Sequence, residues 1–255
     1  MTNFDALNSA TKYPSIETFH RLDNGTLTEE LNYTFDGPVS YREKIDGTNV
    51  RVILLPGGDY VIGSRNELLY AKGDRIGDRR EGIVDHMRAV ADEMLLMDDD
   101  TWIHVFYLEV FGGKIGPAAK QYSAKGDTGH RLFDLAYIPV NILDDSPAVI
   151  AAWRQRGGQK FADDATLQRA ARFQGLPLAP ALGTISAKHL PTTLKAMDTW
   201  MLDAFPQYST HVHLEGHHGA PEGLVLRTPD RSIIAKARFQ DYSKALNPQP
   251  KKGRR

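Results

Sequence analysis

The sequence predicts an α+β fold in which antiparallel sheets carry flanking helices, and three observations predict it. One hairpin signal stands near residue 55 and a second near residue 230. Between them, the stretch from 145 to 205 has helical spacing and helix-start signals. Strands, a helical insert and strands again point to antiparallel sheet rather than to alternating parallel units. No Pro/Gly/Ser-rich linker divides the 255 residues, so one domain over residues 1–246 is expected, followed by a basic flexible tail over 247–255.

Val50–Leu55 and Tyr60–Gly63 are β-rich runs around Pro56-Gly57-Gly58-Asp59, the first hairpin. From about 79 to 97, Ile83, Met87, Val90 or Ala91, and Met94 recur at helical spacing. Trp102–Phe111 alternates His104, Phe106 and Leu108 against Val105 and Tyr107, as a strand does. Ser146 before Pro147 reads as an N-cap followed by Pro at the first helical position, and Gly157 closes that helix. Asp163 or Asp164 starts a second helix that stops at Gly175. Pro191–Ala204, with Leu194, Met197, Trp200 and Met201 apolar, makes a third. Gly223–Arg227 and Ser232–Ala237 flank Thr228-Pro229-Asp230-Arg231, a second hairpin whose turn lacks glycine. Trp153, Trp200 and Met197 fall at helical spacings as core residues do.

With 41% hydrophobic and 25% charged residues the chain is neither disordered nor fibrous in composition. The absence of cysteine excludes disulfides, thiolate metal sites and a Cys nucleophile. No apolar run approaches the roughly 18 residues of a membrane span. The N-terminus, MTNFDALNSATKYP, has no charged-then-apolar leader, so a cytoplasmic enzyme or binding protein is expected. A net charge of −1 argues by itself against a nucleic-acid partner. That charge is uneven, however. The last residues, NPQPKKGRR, hold only basic charges, and Asp98, Asp99 and Asp100 clump elsewhere.

Glu43-Lys44-Ile45-Asp46-Gly47-Thr48-Asn49 precedes the first hairpin. In an extended segment Lys44 and Asp46 face the same side, and Gly47 permits a tight turn. A lysine there is either a nucleophile, once its ammonium has given up a proton, or a surface ion-pair partner. Its company decides between the two. Gly63-Ser64-Arg65-Asn66, Tyr107–Lys114, Phe133-Asp134-Leu135, Glu222–Arg227 and Ile234–Arg238 follow in order. Lys236 and Arg238, two apart on one strand, can address the same anion, and Glu222 opens the partner arm.

Taken in this order, the segments resemble the covalent nucleotidyltransferases, the ATP-dependent ligases and RNA capping enzymes, over about residues 12 to 244. Lys44-Ile45-Asp46-Gly47 resembles the motif whose lysine becomes linked to a nucleoside monophosphate. DNA ligases and capping enzymes place Arg where this sequence has Asn49. Arg42–Asn49 is instead similar to the phage RNA ligase 2 family, as is Leu108–Pro117, LEVFGGKIGP.

The resemblance implies a nucleotidyltransferase (ATP-grasp-like ligase) domain of antiparallel sheets and an ATP-dependent RNA ligase. Lys44 would attack the α-phosphorus of ATP and hold AMP. Glu43 would recognise adenine, Asn49 would complete the nucleotide-binding set, and Arg65 would bind a phosphate. Glu109 would hydrogen-bond the ribose and Phe133 would stack on the adenine. Glu222 would hold Mg²⁺ or Mn²⁺, and Lys236 and Arg238 would neutralise the triphosphate and the transition state. The implied partners are RNA (or DNA) ends with a 5′-phosphate and a 3′-OH, with no membrane role. A DNA or hybrid-end ligase and a catalytically idle end-binding domain are the rivals. The intact set Lys44, Glu109, Glu222 and Lys236 argues against the idle one.

Two departures stand out. Arg238 occupies a position where the family more often has lysine, and the two are not interchangeable. Neither the phage ligase's C-terminal domain nor an OB-fold fits into Gln240–Arg255, so substrate grip is expected from the tail, a partner protein or a second subunit. Elsewhere, His211, His213, His217 and His218 could ligate zinc or touch substrate. Glu215 rivals Glu222 for the metal role. Lys72, Arg75, Arg79 and Arg80, with Lys114, Lys120 and Lys125, are candidates for phosphate contact.

Overall fold

The computed structural model describes residues 3–76, 82–95 and 100–248. Arg79, Arg80, Asp98, Asp99 and the basic residues of the tail lie outside these. Helix α1 (Phe4–Thr11) precedes strands β1 (His20–Asp23), β2 (Thr26–Leu31), β3 (Pro38–Lys44), β4 (Thr48–Leu54), β5 (Tyr60–Ser64), β6 (Leu68–Ala71) and β7 (Asp74–Arg75). Helix α2 (Ile83–Glu93) leads to the long strands β8 (Trp102–Gly112) and β9 (Thr128–Pro139). Then come α3 (Pro147–Gln155), β10 (Lys160–Phe161), α4 (Asp164–Phe173), β11 (Ala181–Ser186) and α5 (Leu194–Asp203). β12 (Gly223–Arg227), β13 (Ile234–Arg238) and α6 (Phe239–Leu246) follow. The expected α+β class of antiparallel sheets with flanking helices is what forms. No helix among the described residues is long and apolar enough to cross a membrane.

The chain divides into two compact units, each discontinuous in sequence. The first holds residues 3–15, Asp46–Ala179 and Leu214–His217; the second holds Ile16–Ile45, Pro180–His213 and residues 218–248.

In the first unit the described strands form one antiparallel sheet in the order β10-β9-β8-β4-β5-β6-β7. Successive side chains on a strand point to opposite faces, so each face gathers alternate residues. Val50, Val52 and Leu54 of β4 meet Ile83, Val84 and Met87 of α2 and Leu167 of α4. On the other face Ile53, Val105 and Tyr107 meet Ala6, Leu7 and Ala10 of α1 and Ile150 of α3. Each large apolar side chain buried this way contributes about 1.5–3 kcal/mol. Arg51, 0% exposed, lies on the α1 face. Its guanidinium donates to Asn8 Oδ1 (2.8 Å), Thr11 Oγ1 (2.7 Å) and Ser64 O (2.8 Å), so burial costs it no hydrogen bonds. Burial pulls its pKa down to about 10, which still leaves it charged at neutral pH.

The second unit carries the sheet β11-β3-β12-β13 and the hairpin β1-β2. Val39, Leu224, Leu226, Ala235 and Ala237 pack one sheet face against Met197 and Met201 of α5 and Phe239 and Tyr242 of α6. The other face is where Arg42 and Lys44 of β3 and Lys236 and Arg238 of β13 lie.

Ser146 and Asp163 cap α3 and α4 as expected, their side chains accepting from Val149 N–H and Thr166 N–H. The first hairpin forms as β4 and β5. The helical expectation over 145–205 is corrected at β11. There Pro180 supplies a carbonyl to Glu43 N–H, and the β-branched Thr184 and Ile185 extend the sheet beside β3.

Candidate functional site

In the second unit, register places the charged residues. Lys44 pairs with Gly223, and Gly223 pairs with Arg238; Arg42 pairs with Val225, and Val225 pairs with Lys236. Residues opposite one another in a sheet share a face, so Arg42, Lys44, Lys236 and Arg238 lie on one side. That is the side away from the apolar core. Lys44 Nζ donates to Glu222 Oε2 at 2.6 Å, with the two side chains 26% and 12% exposed. Glu222 reaches this position because it directly precedes β12, whose first residue is the register partner of Lys44. The chain requires glycine at 223: its φ is +154°, and an added Cβ would stand 2.0 Å from Ala237 O. Arg238 is engaged by Asp241, with Nε to Oδ2 at 2.7 Å.

Glu43 lies on the other side of β3 and is 2% exposed. Thr210 Oγ1 donates to one carboxylate oxygen, and His211 N–H donates to the other at 2.9 Å. Burial pushes its pKa up, and these hydrogen bonds partly offset the rise. Glu43 thus ties β3 to the segment that leads to Glu222.

The first unit holds the remaining expected residues. Asn49, Glu109 and Arg131 occupy one row across β4, β8 and β9. Glu109 Oε1 accepts from Gly47 N–H at 3.2 Å, and Tyr122 Oη accepts from Asp46 N–H at 2.7 Å. Gly47 is needed because β8 passes close by: a Cβ there would stand 2.3 Å from Val110 O. Asn49 Oδ1 is buried with no hydrogen-bond partner among the described residues, an acceptor suited to an amino or hydroxyl donor.

Phe133 is the extra residue of a bulge in β9, because the register passes from Tyr107↔Asp134 to Leu108↔Leu132. A bulge re-aims the side chain it carries. The half-buried ring meets Tyr13 edge-on at 5.1 Å, and Tyr13 Oη donates to Asp134 Oδ2 at 2.8 Å. Arg65 is exposed and donates to Ser15 Oγ at 3.2 Å. The expected residues therefore fall into two sets: Glu43, Lys44, Glu222, Lys236 and Arg238 in the second unit, and Asn49, Arg65, Glu109 and Phe133 in the first.

Four residues that hold these sets in place went unremarked in the sequence: Tyr13, Tyr122, Thr210 and Asp241. Tyr13, Tyr122 and Thr210 act from loops and Asp241 from the first turn of α6, and no periodicity marks them. Asp134 was in view beside Phe133, and a carboxylate next to an aromatic was its signal. Glu215 proves to belong to a loop anchor: its carboxylate accepts from Lys125 N–H at 2.7 Å and from Ser123 Oγ at 3.4 Å.

His211, His213, His217 and His218 are not gathered into a three-ligand set. Among the described residues no group of three potential ligands converges. His211 bonds Ala204 O, His217 bonds Lys120 O, and the rings of His213 and His218 stack 4.2 Å apart. Among the described residues Glu222, whose carboxylate is shared with Lys44, belongs to no group of three such ligands. That suits Mg²⁺, which keeps most of its waters, and not a caged ion.

The RNA ligase family signature matches residues 37–245. An archaeal ATP-dependent RNA ligase has the same fold, with a TM-score of 0.52 at 16% identity over 92% of this chain and 50% of its own. The Naegleria gruberi RNA ligase with PPi gives 0.53 at 12% identity, over 90% of this chain and 60% of its own. A variant of that ligase with ATP and Mn gives 0.52 at 12% identity, over 92% and 62%. The chain spans between 50% and 62% of the length of these structures, and the likeness is one of fold. No curated protein sequence is significantly similar. The family signature covers most of the chain, and the chain belongs to the RNA ligase family.

Proposed function

We propose that this protein is an ATP-dependent ligase that joins RNA ends, a 3′-OH to a 5′-phosphate, through AMP held on Lys44. One observation carries the proposal: Lys44 closes a central strand beside Glu222, on the sheet face that also bears Lys236 and Arg238. A nucleophile, a carboxylate and two cations on one face suit attack on a phosphoryl group whose charge must be met.

Lys44 gives up its proton to solvent and its contact with Glu222, and its Nζ forms a bond to the α-phosphorus of ATP. The bond from that phosphorus to the bridging oxygen breaks, and pyrophosphate leaves. AMP then passes from Nζ to the 5′-phosphate of the nucleic acid, which restores the amine. Finally the 3′-OH attacks that phosphate and AMP departs. Lys236 is assigned the countercharge for the phosphates, and Arg238 the second cationic contact. In the first unit, Glu109 and the partnerless Asn49 Oδ1 are assigned to the nucleoside, Phe133 to the base and Arg65 to a phosphate. Glu43 is assigned to holding β3 and the 210–212 segment together. Its two oxygens are already occupied there, which works against the adenine contact expected of it. Glu222 would hold a divalent cation through its water shell, and that ion would add positive charge beside the phosphates. The adenylation module is assigned to residues 1–246, followed by the basic tail. A cytoplasmic location fits the cysteine-free composition.

Labelled ATP with Mg²⁺ or Mn²⁺ tests the proposal. Acid-labile, alkali-stable label is expected on the wild type and not on Lys44→Ala. An unlabelled wild type, or equal label on Lys44→Ala, would overturn it. Sealing of nicked duplexes and single strands built from RNA or DNA at each end then fixes the substrate, and Asn49 favours RNA.

A further inference from the structure

Arg238 stands where the resemblance leads one to expect lysine, and its surroundings give the substitution a reason. It closes β13 on the face that carries Lys44, with Gly223 as the register partner of both. Its guanidinium is held on one edge: Nε donates to Asp241 Oδ2 at 2.7 Å, and Nη2 donates to Asp241 Oδ1 at 3.0 Å. The pair is sheltered, with side chains 26% and 14% exposed. Asp241 is in the first turn of α6, so a helix fixes the carboxylate.

A fork gripped on the Nε–Nη2 edge keeps the Nη1 hydrogens and one Nη2 hydrogen for an anion. A lysine ammonium is a point charge with no fixed second edge, and the same carboxylate would merely neutralise it. Gly223, the register partner of both, puts no side chain between Lys44 and Arg238.

We infer that Asp241 is a positioning residue, which aims the outer edge of Arg238 at the phosphate being transferred. The inference rests on the ligase proposal above. Arg238, neutralised by its partner, then contributes direction, and Lys236 contributes the net charge.

The test is single-turnover transfer of label from ATP to Lys44, followed across ATP concentrations, in wild type, Asp241→Ala, Asp241→Asn, Arg238→Ala and the Arg238→Ala/Asp241→Ala double variant. Asp241→Ala should lower the maximal rate about tenfold or more, with the half-saturating ATP concentration changed less than about twofold. Asp241→Asn, which retains one acceptor oxygen, should recover part of the rate. In the Arg238→Ala background, Asp241→Ala should have no further effect. A rate within about twofold of wild type, or an equal loss in both backgrounds, would overturn the inference and leave Asp241 a helix-stapling residue. If Asp241→Ala does not fold, Asp241→Asn carries the same comparison. An unlabelled wild type overturns the ligase proposal and this inference with it. A labelled wild type with an unaffected Asp241→Ala overturns the inference alone.

Discussion

Lys44 was legible from its neighbours in sequence because the chemistry of such a motif is local. A lysine, a nearby glycine and an asparagine within six positions leave a recognisable string. Glu222 and Lys236 were legible for the same reason, each inside a short apolar run with charge at its ends. What the string does not contain is the set of atoms that hold it. Gly47 N–H and Asp46 N–H are taken by Glu109 and Tyr122, 62 and 76 residues away along the chain. Such partners are specified by strand register and loop path, which no single window encodes. Arg51 shows the same limit with larger energetic weight. As one charged residue in an apolar strand it carries no signal, yet it joins α1 to the sheet through Asn8 and Thr11 of the helix and Ser64 of β5. Arg51→Leu should cost about 3 kcal/mol or more, because Thr11, Asn8 and Ser64 lose a buried donor together. Denaturant unfolding would measure it, and a loss under about 1 kcal/mol would show that water replaces the guanidinium.

Elements with strong punctuation were the ones read correctly. Ser146-Pro147 and Asp163 announced α3 and α4 because capping is a short-range hydrogen bond. The hairpins followed from turn chemistry, and the second shows how a turn without glycine is made. Arg231 takes φ +65°, and Asp230 Oδ1 accepts from Ser232 N–H at 3.0 Å and from Ser232 Oγ at 2.8 Å. Hydrogen bonds from Thr228 and Ser232 pull the Asp230 carboxyl down to about 2. A folded value below the ordinary one of about 3.9 means the unfolded chain binds the proton more readily. The turn's stabilisation is therefore complete above about pH 4 and is lost as pH falls through about 2. An NMR titration of the Asp230 carboxyl should have its midpoint near 2; a midpoint near 4 would mean the turn is not closed by this side chain. Elements held mainly by tertiary pairing were missed. The short α1, the β1-β2 hairpin, β9 as a full strand, and α6 all lack a long periodic run of their own, and β11 was hidden inside a helical region.

At the scale of the molecule, antiparallel sheet with flanking helices was legible, but the division into two units was not. The units interleave along the chain, with crossings after Ser15, Ile45, Ala179, His213 and His217. None is marked by a linker composition, because a crossing inside a folded protein needs no flexible spacer. One crossing falls immediately after Lys44-Ile45, so the lysine lies at the end of one unit's sheet while Asp46 opens the other unit. The strand that carries Lys44 is internal to its sheet, paired with β11 on one side and β12 on the other. Amide hydrogens in such a strand exchange with solvent only when the sheet itself opens. On the proposed mechanism, gaining and losing AMP would therefore leave the backbone of β3 where it is and use the four rotatable carbons of the lysine side chain alone. Deuterium uptake over Pro38–Lys44 should be slow and identical before and after the protein takes label from ATP. Faster uptake in the labelled protein would mean that the nucleophile is carried by a strand that moves, and that its reach is set by the sheet and not by the side chain.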